Sequence, residues 1–269
     1  MLTRLSFLAG GLPVQRLVPP SVYLDHWAML DLSADADLAR RFADALEQVD
    51  GTLVLSWANV AEFCKVWTDE HAKNAEAVIE RNIPRLFFLN PDPFVFRERD
   101  DGGPAPGDDG LLAVFAGRRP EAGHEFTARG FFAEVRGQLL ETMDRMTGIV
   151  VQRVEALRTE YLADQNLAGL VDQIPNDVGS RLILKELLRD YMAVLKRPVE
   201  ANDALDFFHT VIPAVFCDWV LLDGPRVAQL NRIAERLNTA GRSISMSELL
   251  SNKRASGGVK RLVDALTTV

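Results

Sequence analysis

The sequence predicts an α/β fold with a parallel sheet, and three observations lead to that fold class. Short apolar runs alternate with segments of helical periodicity between residues 21 and 90, a pattern typical of parallel strands joined by helical crossovers. Two apolar runs stop at a carboxylate, Asp25 and Asp223. The chain has 269 residues, of which 48% are hydrophobic, enough for one large core. We therefore expect a single domain that spans residues 1–269.

The first half of the sheet can be followed element by element. The apolar run at residues 21–25 predicts the first strand, and the helical spacing of apolar residues in 36–50 predicts a helix that ends before Gly51. The elements predicted next are a strand at 52–56, a helix at 57–67, a helix at 72–82 and a strand at 85–90. Because helices separate these strands, the pairing is expected to be parallel.

Residues 91–200 are predicted to form an insertion made of a loop and helices. From 91 to 126 the sequence is dense in Pro, Gly and charge, which favours a long loop. The segment DDGGPAPGDDG at 100–110 is expected to be exposed and mobile, because that composition buries little apolar surface. Helical patterns then run from Thr127 to Asp164 and from Ser180 to Lys196, with a break at 172–179.

Composition and motifs argue against several classes of protein. The net charge of −8 argues against a protein that coats nucleic acid electrostatically, although bound divalent cations can still hold a phosphate backbone. Cys64 and Cys217 lack CxxC spacing, so we expect two buried, reduced thiols. The sequence has no signal-peptide cleavage pattern and no apolar stretch of about 18 residues, so we predict a cytoplasmic protein without a membrane segment. Walker, GxSxG and HExxH motifs do not occur, and the enzyme classes they mark have no support.

Four carboxylates are expected to meet at one edge of the sheet. Ligands of parallel sheets collect outside the carboxyl ends of the strands, which is where Asp25 and Asp223 follow their apolar runs. Glu62 lies about one and a half turns into the helix after the second strand, and Asp206 lies near the start of a later helix, so both can reach the same crevice. Converging carboxylates repel each other unless a cation neutralises them, and hard oxygen ligands suit Mg²⁺ or Mn²⁺. The sequence therefore predicts a metal site.

Three segments carry a resemblance to a known family. They are SVYLDHWAMLDL, LSWANVAEF and NDALDFFHTVIPAVFCDWVLLDG. Together they resemble the PIN-like domains, metal-dependent ribonucleases typified by the toxins of bacterial toxin–antitoxin modules, and the resemblance covers residues 20–90 and 200–250. It implies a three-layer fold, with a central parallel sheet flanked by helices, and an Mg²⁺- or Mn²⁺-dependent endoribonuclease. It also implies an RNA substrate and is compatible with an antitoxin, another protein partner or a homo-oligomer.

The resemblance also assigns roles to individual residues. It places the family's four acidic positions on the residues Asp25, Glu62, Asp206 and Asp223, as catalytic residues and metal ligands. Asp203, one turn before Asp206, and Asp218, at the start of the last apolar run, are alternative metal ligands. His209, three residues after Asp206, is a further candidate. The usual Thr before the last Asp is replaced by Leu222, which puts activity, more than fold, in question.

Each acidic candidate also has a structural interpretation. Asp25 and Asp203 can cap the helices that follow them, and Glu62 can form a buried ion pair with an Arg. Asp218 can simply face solvent, and His209 can be a hydrogen-bonded core histidine.

The residues beside the acidic positions have interpretations of their own. His26 should point away from Asp25 by strand alternation. The tryptophans are expected in the core, although Trp27 and Trp57 stand near the predicted crevice and can stack on a base.

A catalytically degenerate PIN-like protein, acting as a protein- or RNA-binding module, is the alternative to the nuclease. An Arg or Lys that neutralises a carboxylate inside the crevice would favour that module. Four carboxylates that meet at one point would favour the nuclease.

Overall fold

The computed structural model describes most of the chain. The described residues are 5–7, 13–65, 69–94, 105–117, 128–163, 179–194, 198–242, 244–252 and 257–268.

Seven strands are described, two in a hairpin and five in a parallel sheet. The hairpin pairs β1 (Leu5–Phe7) with β2 (Pro13–Gln15). The sheet contains β3 (Ser21–Leu24), β4 (Thr52–Leu55), β5 (Leu86–Phe88), β6 (Trp219–Leu222) and β7 (Glu248–Ser251). Its strand order is β5-β4-β3-β6-β7, and every neighbouring pair is parallel. The predicted α/β class with a parallel sheet is confirmed, and the direction of crossover reverses between β3 and β6.

Helices cover the sheet and join its strands. They are α1 (His26–Ala34), α2 (Ala36–Gln48), α3 (Trp57–Lys65), α4 (Asp69–Asn82), α5 (Asp109–Gly117), α6 (Ala128–Ala163), α7 (Gly179–Val194), α8 (Ala201–Phe216), α9 (Gly224–Thr239) and α10 (Gly258–Thr267). A 3₁₀ turn at Ile83–Arg85 leads into β5.

The strands are short apolar runs because both faces of the sheet are covered. All four residues of β3 and of β4 are buried, as expected for parallel strands with helices on either side. Amphipathic spacing selects the buried face of the helices. In α2, for example, Leu38, Phe42 and Leu46 are turned into the core. None of the described helices is long and apolar enough to cross a membrane.

The predicted loop at 91–126 is corrected in part, because it contains α5. Within the segment 100–110, residues 100–104 lie outside the described residues, whereas 105–108 run beside β5. Gly107 forms an isolated bridge with Leu89, and Asp108 donates its backbone N–H to Phe88 O at 2.9 Å. Residues 105–108 are buried or partly buried, so the expectation of an exposed segment is wrong there, whereas Asp109 and Gly110 are exposed as expected. As the edge strand, β5 has backbone groups on one side that no neighbouring strand pairs. This segment supplies a partner for one of them, the carbonyl of Phe88.

The helices between residues 128 and 194 pack on the rest of the domain. The long helix α6 contacts α3, α4 and α8, and α7 contacts α8 and α9. Val150 and Val154 of α6 belong to the same buried cluster as the sheet residues. The predicted helices at 127–164 and 180–196 correspond to α6 and α7. Of the predicted break at 172–179, residues 172–178 lie outside the described residues, and Gly179 already begins α7.

Candidate metal centre

Two predicted site residues lie between β3 and β6, where the direction of the crossovers reverses. Asp25 follows β3 and Asp223 follows β6, the neighbouring strand. Each caps the next helix, because Asp25 Oδ1 accepts the His26 N–H at 2.7 Å and Asp223 Oδ1 accepts the Arg226 N–H at 2.9 Å. Capping uses one oxygen of each carboxylate. The structural and the functional interpretation of Asp25 are therefore compatible, since the second oxygen can face a ligand.

One pocket collects all four carboxylates that the sequence predicted. It has a volume of about 390 Å³, and its lining includes Leu222 at the end of β6, Asp25 directly after β3, and residues of α1, α3, α8 and α9. The charged and aromatic residues in its wall are Asp25, His26, Trp27, Glu62, Asp206, His209, Asp223 and Arg226. The prediction of a shared crevice is confirmed. His26 is an exception to the sequence reasoning, because it begins α1 instead of continuing the strand and so lines the pocket beside Asp25.

Three side chains form the tightest group in this pocket. Asp25, Glu62 and His209 each offer one donor atom, and these atoms lie within 4.8 Å of one another. Burial raises the pKa of Asp25, the charge of His209 lowers it, and the negative charges of Glu62 and Asp223 raise it again. The net rise in the pKa of Asp25 therefore comes first from burial, and the neighbouring negative charges add to it. Two carboxylate oxygens and one imidazole nitrogen are a donor set suited to a divalent metal.

His209 lies between a hydroxyl and a carboxylate. Its Nδ1 is 2.7 Å from Tyr23 Oη, and its Nε2 is 3.1 Å from Glu62 Oε2. Burial by itself lowers the pKa of His209, but the negative charge and hydrogen bond of Glu62, with the charges of Asp25 and Asp206, outweigh burial and raise it to about 9. His209 is therefore a buried cation at neutral pH when no metal is bound.

Asp206 faces a second cation, which the sequence reasoning missed. The Arg226 guanidinium donates to Asp206 Oδ2 and also reaches Tyr191 Oη at 3.4 Å. Burial raises the pKa of Asp206, and although Arg226 lowers it, the pKa reaches about 6. Arg226 lies three residues after Asp223, in the first turn of α9. That spacing could have predicted Arg226 as a site residue, because a residue in the first turn after a strand lies at the same edge of the sheet as the strand end.

The two alternative ligands lie elsewhere. Asp218 precedes β6, and its Oδ2 accepts the backbone N–H and the hydroxyl of Ser21, both at 2.8 Å. It therefore belongs to the amino edge of the sheet, and the prediction that it shares the pocket is wrong, since residues before and after a short strand lie at opposite edges.

Asp203 has a capping role, but at the third position of the helix and not as the predicted N-cap. Its Oδ2 accepts the backbone N–H of Glu200 at 2.8 Å, in a capping box where Glu200 is the N-cap. Its side chain lines a neighbouring cleft with Tyr191 and Arg232.

The remaining sequence predictions concern tryptophans and cysteines, which were expected in the core. Trp57 is buried and packs edge-on against Phe208, with ring centroids 4.7 Å apart, so it belongs to the core. Trp27 lines the pocket. Cys217 is a buried thiol, as predicted, whereas the side chain of Cys64 lies outside the described residues.

The donor set and its charges fit a divalent cation. The pocket holds four carboxylates, which His209 and Arg226 oppose with two positive charges. Without a metal, four negative and two positive charges leave a formal deficit of two. A divalent cation on His209 Nε2 would replace the proton of that ring, so the ion enters a pocket with a formal deficit of three and reduces it to one. The sites for such an ion are the oxygens of Asp25 and Glu62 and the nitrogen of His209.

No protein-family model, curated protein or solved structure matches this chain. The resemblance to PIN-like domains thus depends on the residues alone.

Proposed function

We propose that the protein is a PIN-like, metal-dependent nuclease that hydrolyses phosphodiester bonds, with RNA as its substrate. The observation that carries the proposal is the convergence of Asp25, Glu62, Asp206 and Asp223 with His209 in one pocket at the carboxyl edge of the sheet. Helix capping accounts for Asp25 and Asp223 but not for Glu62 and Asp206.

The residues that would hold the metal are Asp25, Glu62 and His209. An imidazole nitrogen beside two carboxylates favours Mn²⁺ over Mg²⁺, since Mg²⁺ prefers oxygen ligands alone. A divalent cation bound there would lower the pKa of a coordinated water and stabilise negative charge on the phosphate.

The other charged residues of the pocket would serve the substrate. Arg226 presents a planar set of donors that suits a phosphate oxygen, and its present partner Asp206 is already half-exposed. Asp223 is exposed and can accept a proton from an attacking water with the oxygen that does not cap α9. No protein nucleophile is needed. Trp27 in the same wall can stack on an unpaired base, which favours single-stranded RNA.

A binding module is the second candidate, and one observation favours it. The Asp206–Arg226 ion pair neutralises a carboxylate inside the pocket, which is the arrangement expected if catalysis has been lost. Such a protein would bind RNA or a protein partner, an antitoxin among them, without cleaving. The two candidates therefore differ in one property, the metal-dependent reaction.

The test is cleavage of end-labelled single-stranded RNA with Mn²⁺ or Mg²⁺, with a chelator and without one. We expect cleavage that the chelator abolishes and that Asp25→Asn and Glu62→Gln each remove. Asp31→Asn is the matched control, because Asp31 is an acidic residue of α1 that lines a different cleft. It should cleave like the unaltered protein.

Two results would contradict the nuclease. RNA binding without cleavage, retained by Asp25→Asn, would support the binding module instead. Equal cleavage by Asp25→Asn and the unaltered protein would mean that a different site, or a contaminant, carries the activity.

A further inference from the structure

We propose that Tyr23 is a positioning residue. Through a buried chain of hydrogen bonds, it fixes a hydrogen on Nδ1 of His209, so that Nε2, which faces Glu62, is the nitrogen that binds the metal. The inference rests on the proposed metal site and deepens it. Tyr23, Ser56 and Asn59 are fully buried, and His209 is 5% exposed. Buried polar groups of this kind need partners, so their donors and acceptors can be assigned one after another.

The chain begins at Asn59, whose amide orientation is set by the backbone. Its Nδ2 donates to Leu24 O at 2.9 Å, and its Oδ1 accepts the backbone N–H of Ser56 at 2.8 Å. A carbonyl can only accept and an N–H can only donate, so the amide cannot be turned over. The Ser56 hydroxyl must then give its proton to Asn59 Oδ1, 2.8 Å away. Towards any other partner, Ser56 Oγ is an acceptor.

The same reasoning passes from Ser56 to His209. Tyr23 Oη is 3.2 Å from Ser56 Oγ, so the phenol proton goes to Ser56. Tyr23 Oη can then only accept from His209 Nδ1, 2.7 Å away, and Nδ1 must carry a hydrogen. The other nitrogen, Nε2, is the one that faces Glu62. It is therefore the nitrogen that can bind a metal once its own proton has left.

Packing alone does not explain the Tyr23 hydroxyl. The ring lies in the central strand with no exposed surface, where a Phe would fill the same space without a polar group to satisfy. Second-shell hydrogen bonds to a ligating histidine commonly fix its tautomer, and their loss weakens metal binding about 10- to 100-fold. Tyr23 has the position for this role and does not itself touch the metal site.

Two variants break the chain at different points. Tyr23→Phe removes the acceptor for the His209 Nδ1–H. Ser56→Ala leaves the phenol but removes the acceptor of its proton, so the phenol turns to donate to Nδ1 and the imidazole hydrogen moves to Nε2. Both variants should weaken Mn²⁺ binding by about 10- to 100-fold, and Ser56→Thr, which keeps a hydroxyl, should bind close to the unaltered protein.

Thr52→Val is the matched control for the loss of a buried hydroxyl. Thr52 is fully buried and bonds Val18 O at 2.7 Å at the amino end of β4, away from the pocket. This variant should lose stability but bind Mn²⁺ with unchanged affinity. Circular dichroism and thermal melts show whether each variant is folded at the temperature of the titration.

The experiment measures Mn²⁺ affinity by calorimetry and the His209 ring by ¹⁵N NMR with Zn²⁺ as a diamagnetic probe. The His209 signals are those missing from His209→Gln. We expect a protonated Nδ1 and a metal-bound Nε2 in the unaltered protein, and loss of this pattern in Tyr23→Phe and Ser56→Ala. Equal affinity and identical ring signals in these variants would overturn the role of Tyr23 alone. A failure of the unaltered protein to bind Mn²⁺ or Zn²⁺ would overturn the metal site, and the role of Tyr23 with it.

Discussion

Raising the pH should destabilise the metal-free protein through His209. Only 6% of this side chain is exposed, and its Nε2 lies 3.1 Å from Glu62 Oε2. Burial would lower the pKa of His209, but the charges of Glu62, Asp25 and Asp206 prevail and raise it from 6.5 to about 9. The folded protein therefore keeps a proton that the unfolded chain has already released between these two values.

The size of the effect follows from the two pKa values. A pKa that is raised on folding stabilises the protein fully below the unfolded value, and this stabilisation is lost as the pH rises through the folded value. A tenfold change in proton affinity corresponds to about 1.4 kcal/mol. The rise from 6.5 to about 9 thus amounts to roughly 3 kcal/mol of unfolding free energy, present at pH 6 and lost above pH 9.

Urea unfolding with a chelator, followed by tryptophan fluorescence at about pH 6 and about pH 10, measures this loss. Other groups also titrate in this range, so the informative quantity is the difference between the unaltered protein and His209→Gln. The unaltered protein should lose roughly 3 kcal/mol more than His209→Gln does. His26→Gln is the matched control, since His26 lines the same pocket and its loss should leave the pH dependence in place. Equal losses in the unaltered protein and His209→Gln would refute the buried ion pair with Glu62.

Three further predictions concern the charges at the two edges of the sheet. Asp25→Asn should leave the metal-free protein as stable as before, or more stable by up to about 1 kcal/mol, because it removes a buried charge that Glu62 and Asp223 also repel. The rise in melting temperature caused by Mn²⁺ should disappear, and a large metal-free loss would make Asp25 a purely structural cap. Arg226→Gln should lower the free energy of unfolding by only about 1 kcal/mol, since its partner Asp206 is 41% exposed. It should tighten Mn²⁺ binding in calorimetry, because the pocket loses a competing cation, and weaker binding would show that Arg226 supports the site. Asp218→Ala should lower the free energy of unfolding in urea by roughly 2 kcal/mol, because the bonds from Ser21 to Asp218 are lost. The Mn²⁺ affinity should be unchanged, and an altered affinity would contradict the place of Asp218 at the amino edge.

The sequence by itself determined the class of fold and the positions of the main acidic residues. Fully buried parallel strands are continuous apolar runs, and their ends are local features that can be seen without a partner. Asp25 and Asp223 follow such runs, and the pattern of parallel strands places both at one edge. Glu62 and Asp206 could be added because helical spacing from a strand or helix start is also local. The strand β7 and the hairpin of β1 and β2 gave no comparable signal, because none of them is a continuous apolar run: β7 begins with the exposed Glu248, β1 contains Ser6 and β2 ends in Gln15.

The tertiary structure alone decided which of these groups touch each other. Tyr23 and His209 are 186 residues apart in the sequence, one on a strand and the other on a helix. Even so, Tyr23 Oη and His209 Nδ1 lie 2.7 Å apart. The pairing of Asp206 with Arg226 depends in the same way on how α8 and α9 are set against the sheet. A contact between side chains requires an angle and a distance between two elements, and these are fixed by the packing of the whole core. Local periodicity records which face of an element is buried but not what lies against it. For that reason the sequence could name the acids of the pocket and His209, but not Arg226 or the pairs that these groups form.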